Sequence, residues 1–168
     1  MRKFLDALYA SSAWLAGLSM IGVLVMVLLT IASRLFGFSA PGTDAYAGYA
    51  MAGAGFMALA STLKKGEHIR VTLLLGALKG QARKAMEVAA LLIATVLSGF
   101  LAFYATHLVW QSWDIGDISV GIDATPMWIP QVFMALGTVV FFIAFCDELV
   151  LELTGQRKQA AQEDAHHE

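Results

Sequence analysis

A basic segment between two long apolar runs constrains this chain more than any other feature of its sequence. Residues 63–87, LKKGEHIRVTLLLGALKGQARKAME, contain six of the eleven Lys and Arg residues in the chain. The flanking apolar runs are long enough to cross a bilayer, which takes about 20 residues as a helix. Because Lys and Arg next to membrane spans resist translocation, such a segment is typical of a cytoplasmic loop. The sequence therefore indicates an integral membrane protein.

The composition excludes several classes of protein. The chain is 58% hydrophobic and 14% charged, whereas soluble domains have about 25% charged residues. Its single cysteine, Cys146, excludes an internal disulfide framework and a multi-cysteine metal site. The basic segment has no interleaved aromatic residues that would stack on bases, so nucleic acid is not expected as a partner.

The apolar runs predict an all-α integral membrane protein with four transmembrane helices in one domain, residues 1–153, followed by a polar cytoplasmic tail, 154–168. The predicted spans are about 13–34, 44–64, 86–112 and 128–151. Residues 69–78 are apolar but too short to span. We therefore expect a short interfacial segment within the basic loop between helices 2 and 3.

Two interpretations of the N-terminus are open. Arg2 and Lys3 precede an apolar run, as in a cleaved signal peptide. However, the run from Ala13 to Ser33 covers about 20 residues, longer than the ~7–15 of a signal-peptide core. A retained first span is favoured, with residues 1–12 as a short amphipathic lead-in at the inner interface.

The orientation follows from a count of basic residues. Ten lie in the two termini and the central loop, and Arg34 alone lies on the other side. This bias predicts that both termini are cytoplasmic and that the Asp-containing loop between helices 3 and 4 is outside. Five aromatic residues then fall at the outer interface, where their amphipathic rings are favoured: Tyr46, Tyr49, Trp110, Trp113 and Trp128.

The second span is unusually rich in small residues. In lipid, small side chains permit the close backbone approach that drives helix association. We therefore predict packing against a partner helix at Gly48, Ala50, Ala54, Gly55 and Ala58. The alternative is that Ala and Gly are simply common in membrane spans.

No phosphate-binding loop, metal-ligand cluster or nucleophile motif is present, so we expect no enzyme activity and no cofactor. His107, near the outer end of the third span, can act as a proton relay. It lies one turn from Trp110 and interfacial water, which favours a structural role.

Acidic residues form two groups. The inner end of the fourth span carries Asp147, Glu148 and Glu152, and the outer loop carries Asp114, Asp117 and Asp123. A carboxylate at the bilayer centre costs roughly 3 kcal/mol. We therefore expect the inner group to pair with the basic loop or to reach the interface, with an ion site as the alternative. The outer group lacks the spacing of an EF-hand, so a solvated loop is favoured over a cation site or a surface for a basic partner.

Four sequence blocks are distinctive: RLFG from Arg34, PGTD ending at Asp44, LKKGEHIRV with Gly66, Glu67, His68 and Arg70, and PMWIPQ with Pro126, Trp128, Pro130 and Gln131. Together these blocks resemble the DctQ-like small membrane subunit of tripartite ATP-independent periplasmic (TRAP) transporters. The resemblance covers about residues 5–153. The family pattern usually continues with an acidic residue where this chain has Thr72.

This resemblance implies a heteromeric complex in the bacterial inner membrane. In the family, a large multi-span subunit carries the solute and coupling sodium ions by an elevator-like motion, and a periplasmic binding protein delivers an organic acid. The small subunit braces the large one within the lipid bilayer, so no substrate site is expected in this chain. The alternative is a free-standing four-span protein, either a small channel or a membrane enzyme subunit with His68 or His107 as a ligand. Co-purification of a large membrane subunit distinguishes the two.

Overall fold

The computed structural model describes residues 2–64 and 81–154, which form four helices. These are α1 (Arg2–Phe36), α2 (Thr43–Lys64), α3 (Gln81–Asp114) and α4 (Trp128–Leu153). In these residues the only strand-like pairing is one isolated bridge between Ile118 and Pro126. The all-α prediction is confirmed for this part of the chain. The predicted interfacial segment, 69–78, and nearly all of the predicted tail lie outside the described residues.

Three of the four helices are long and apolar enough to cross a membrane, namely α1, α3 and α4. α2 has 22 residues and is therefore about 33 Å long, which matches the ~30 Å hydrocarbon core. Its many Ala, Gly and Tyr residues lower its hydropathy. α1 has 35 residues and no break, so the predicted lead-in and the first span form one continuous helix.

Turn residues set the boundaries between the helices. Gly37 has a φ of +69° just after the end of α1, and Gly42 has a φ of +82° just before α2. A glycine adopts this left-handed conformation without the steric cost of a side chain. At the start of α4, Pro130 lies in the first turn, where a missing N–H removes no intrahelical hydrogen bond.

The helices are ordered side by side as α1, α2, α4 and α3. α2 packs along both α1 and α4, α3 packs along α4, and α1 makes only slight contact with α4. The two outer helices therefore present apolar side chains, such as Leu18 and Leu97, that no other described residue covers. Lipid or another membrane protein is needed to cover these faces.

The four helices, side by side, form one layer. The packed core lies at the end of this layer where α2 ends, here called the Lys64 end. It contains four buried residues from three helices: Tyr9, Ala60, Val140 and Ala144. Leu5, Leu8 and Leu63 pack around them. The first residues of α1 are therefore held against α2 and α4, and the small side chains of Ala60 and Ala144 allow the close approach.

Candidate functional site

The two central helices come into backbone contact at Gly137 of α4. A Cβ at this position would be 2.6 Å from both the carbonyl carbon and the carbonyl oxygen of Phe56 in α2. No side chain fits in that space, so the glycine lets the two backbones touch. The next residue, Thr138, is completely buried. This crossing joins the two halves of the layer.

Gly53 makes a second close contact, between α2 and both of its neighbours. A Cβ there would be 3.4 Å from the hydroxyl oxygen of Ser19 in α1 and 3.7 Å from the Cβ of Phe133 in α4. Four residues along α2, the carbonyl of Met57 accepts a hydrogen bond of 2.5 Å from the hydroxyl of Ser12. The central helix α2 is thus fitted to α1 by small residues and by a buried hydrogen bond.

The five residues predicted to pack against a partner helix divide into two sets. Ala54 is buried within the chain and Ala58 is half-buried. Ala50 faces α1, because its Cβ is 3.6 Å from the position that a Cβ on Gly22 would have. Gly48 and Gly55 are exposed, and no atom lies within 4 Å of the place where their Cβ would be. Only these two glycines remain open to another protein.

A charged cluster joins three helices at the Lys64 end. The ammonium group of Lys64 pairs with the carboxylate of Asp147 and lies 3.3 Å from the carboxylate of Glu148. It also lies 5.1 Å from the centre of the Tyr9 ring, close enough for a cation–π contact. The side chains of Lys64 and Asp147 are about one-fifth exposed (23% and 21%). The expected pairing of these acids with basic residues near the loop is therefore present at Lys64, while Glu152 lies half-buried one turn further on.

A hydrogen-bond network anchors the loop between α3 and α4 to the first part of α2. The hydroxyl of Tyr49 donates either to the carboxylate of Asp123, at 3.0 Å, or to the hydroxyl of Ser119, at 3.1 Å. Ser119 in turn donates to the other oxygen of Asp123, also at 3.0 Å. Hydrogen bonds from Thr125, Ser119 and Tyr49 hold the pKa of Asp123 below its ordinary value. These hydrogen bonds therefore join the loop to α2.

The loop passes very close to the turn before α2. A Cβ on Gly42 would be 3.0 Å from the Cβ of Asp123. Across the same end of the layer, Trp128 packs edge-to-face on Trp113, with ring centres 4.9 Å apart. Pro126, which precedes this tryptophan, pairs with Ile118 in the isolated bridge. The sequence block that opens α4 thus organises the loop.

The remaining candidate residues lie apart from one another. Arg34 and Asp44 are exposed at the ends of α1 and α2, and Pro130 and Gln131 are half-buried in the first turn of α4. His107 is exposed and stacks on Phe103, with ring centres 6.3 Å apart. Gly66, Glu67, His68 and Arg70 lie outside the described residues. The described candidates do not converge on one pocket.

Sequence reasoning missed two positions that the structure makes central. Gly137 is the one glycine in the sequence of α4, and an isolated glycine of this kind is a usable signal for close backbone approach. Tyr9 lies in the predicted lead-in, and nothing in its local sequence indicates that its ring is buried beside Lys64.

Comparison with protein-family models gave a match to "Tripartite ATP-independent periplasmic transporters, DctQ component" over residues 23–155. A comparison with curated proteins found no match. The family match covers the last part of α1 and all of α2, α3 and α4, together with the loop network and the opening block of α4. The chain therefore belongs to the DctQ family and is a small membrane subunit of a TRAP transporter.

Proposed function

We propose that this chain is a structural subunit that braces the large transport subunit and binds no solute itself. The observation that carries this proposal is the distribution of charge. Every Asp, Glu, Lys and Arg in the four described helices lies within seven residues of a helix end. A carrier needs polar groups or unwound helices near the middle of the membrane. The centres of these helices carry no charged group, and the buried hydroxyls of Ser98 and Thr138 donate to carbonyls of their own helices.

The exposed surfaces support a role in assembly. The two central helices are locked together at Gly137 and Gly53, whereas α1 and α3 present large apolar side chains on their outer faces. Gly48 and Gly55 leave a narrow open strip on α2. We propose that a helix of the large subunit packs on this strip, because small residues permit close approach in lipid.

We further propose that all four helices cross the inner membrane, with both termini in the cytoplasm. α2 packs between α1 and α4, both of which are long and apolar enough to span. The excess of Lys and Arg at the termini and in the 63–87 loop supports the orientation. From the family resemblance, we also propose that the transported solute is an organic acid. The large subunit takes it up with sodium after delivery by the periplasmic binding protein.

Two single-cysteine variants test the orientation, both in a Cys146→Ser background. Gln81→Cys replaces the exposed first residue of α3, and Val120→Cys replaces an exposed residue of the loop that follows α3. With an impermeant thiol reagent, intact cells should label position 120, and position 81 should react only after the membrane is opened. Labelling of position 81 in intact cells would contradict the orientation.

Reconstitution tests the division of labour. Proteoliposomes that contain this chain alone should show no uptake of an organic acid in a sodium gradient. Uptake should require the large subunit and the binding protein. The large subunit should also co-purify with this chain in a fixed ratio, whereas a free-standing channel or enzyme subunit would purify without it. Uptake by this chain alone would overturn the proposal.

A further inference from the structure

The loop between α3 and α4 carries an exposed group of aliphatic side chains that the network around Asp123 does not use. This group, here called the apolar tip, consists of Ile115, Ile118, Val120 and Ile122. Val120 is fully exposed and Ile122 is 85% exposed. A group of exposed aliphatic side chains on one loop marks an interaction site more often than a single exposed aliphatic residue does.

The acidic residues beside the apolar tip keep it out of the hydrocarbon core of the membrane. Asp114, the last residue of α3, and Asp117, on the loop, are both exposed. Their carboxylates would pay a large desolvation cost in hydrocarbon, so the loop lies in the interface or in water. The loop is also hydrogen-bonded to α2, a central helix of the layer, through Tyr49. It therefore covers the end of the layer.

Backbone hydrogen bonds within this chain bracket the tip of the loop. The N–H of Ser119 donates to the carbonyl of Thr125 at 2.8 Å, and the N–H of Met127 donates to the carbonyl of Asp117 at 3.0 Å. Together with the side-chain bonds to Asp123, these tie the two ends of the tip to each other. A preorganised loop loses little conformational entropy when it binds. This property suits a partner that binds and dissociates repeatedly.

The charge on the loop defines the partner further. Residues 85–156 contain no Lys or Arg, while the loop carries Asp114, Asp117 and Asp123. A complementary surface has an apolar depression with basic residues at its edge, and the opposite charges would steer the two surfaces together. A membrane subunit packed on the outer faces of the layer would meet the sides of the helices. A soluble protein that approaches this end of the layer would meet the loop.

We propose that the apolar tip is the docking element for the soluble binding protein of the transporter, which inserts Val120 and Ile122 into an apolar depression edged by Lys or Arg. This proposal rests on the proposed function, because it needs the loop to face the periplasm. It adds a specific surface and a mode of recognition, an aliphatic contact surrounded by acidic groups.

The test uses nanodiscs that hold this chain alone or in complex with the large subunit, and the purified binding protein as the soluble probe. Combined Val120→Ser and Ile122→Ser substitutions should weaken binding by at least about tenfold in both preparations, because two anchors lose their apolar contact. Leu35→Ser is the matched control, since Leu35 is similarly exposed at the end of α1. It should leave binding unchanged. Asp114→Asn with Asp117→Asn should slow association and reduce its salt dependence.

A second measurement keeps the result interpretable if the double variant folds poorly. A photoreactive side chain in place of Val120 should form an adduct with the binding protein in the otherwise unchanged complex. An adduct with the large subunit instead, or unchanged affinity in a folded double variant, overturns the proposal. Failure of the large subunit to associate, with binding of the soluble protein retained, would overturn only the bracing role.

Discussion

Gly137 of α4 lies directly against the backbone of Phe56 in α2, so closely that a Cβ would be 2.6 Å from the Phe56 carbonyl carbon. Real Cβ atoms do not approach a backbone carbonyl to this distance, and backbone cannot move aside as a flexible side chain can. The two central helices can therefore approach this closely only because residue 137 has no side chain. On either side of this contact, α1 packs against α2 and α3 packs against α4.

Gly137→Ala should therefore destabilise the isolated chain. Overpacking of this kind typically costs about 1–3 kcal/mol, and the helices must separate to relieve the clash. Unfolding in detergent, followed by circular dichroism, should show the loss. Gly55→Ala is the matched control, because nothing lies within 4 Å of its Cβ position. Equal free energies of unfolding for Gly137→Ala and wild type would mean that α2 and α4 lie farther apart at this residue than in the structure.

The pair formed by Lys64 and Asp147 should be a measurable link between α2 and α4. Asp147→Lys places two like charges together. We expect the free energy of unfolding to fall by about 1–3 kcal/mol, a loss between those typical of surface pairs and of buried pairs. Adding Lys64→Asp should restore part of the loss by reversing the pair. Unfolding free energies of the two single variants and the double variant measure the coupling. Purely additive effects would show that the two side chains do not interact.

The hydrogen bonds to Asp123 should make the loop between α3 and α4 insensitive to moderate acid. The pKa of this carboxyl is below its ordinary 3.8 in the folded protein, so its stabilising effect is present above pH 3.8. It is lost only as the pH falls through the lower, folded value. In Tyr49→Phe, which removes one donor, the pKa should rise and the loop amides should exchange faster. NMR titration of the carboxyl and hydrogen exchange test both effects. Ser11→Ala, at an exposed hydroxyl in α1, is a control that should change neither.

The open strip on α2 gives a separate prediction about assembly. Gly48→Leu with Gly55→Leu should leave the isolated chain folded, because both glycines are exposed with open space around them. The same pair should reduce co-purification with the large subunit, since bulky side chains prevent close helix approach. Ala54→Leu would be a poor probe of the partner, because Ala54 is buried within this chain. Full assembly of the Gly48→Leu, Gly55→Leu variant would place the interface on another helix.

The helices themselves could be predicted from sequence because the signals are local. The apolar run that begins at Trp128 after Pro126 predicts the start of α4, and Pro41-Gly42 predicts the turn before α2. The structure has helices that begin at Trp128 and at Thr43. Hydropathy and turn chemistry depend on neighbouring residues only, so one sequence is enough to read them. The excess of basic residues on one side is equally local, and the orientation that it predicts stays a prediction.

Only the tertiary structure decided which side chains meet. A membrane helix that is apolar all round has no polar face to show which side is inside, so the sequence ranks Ala54 and Gly55 alike as packing positions. The fold buries Ala54 and leaves Gly55 exposed. Tyr49 and Asp123 are distant in the chain and form a hydrogen bond because α2 and the loop before α4 lie at the same end of the layer. Helix order and rotation arise from contacts between distant segments, and no local pattern in the sequence encodes them.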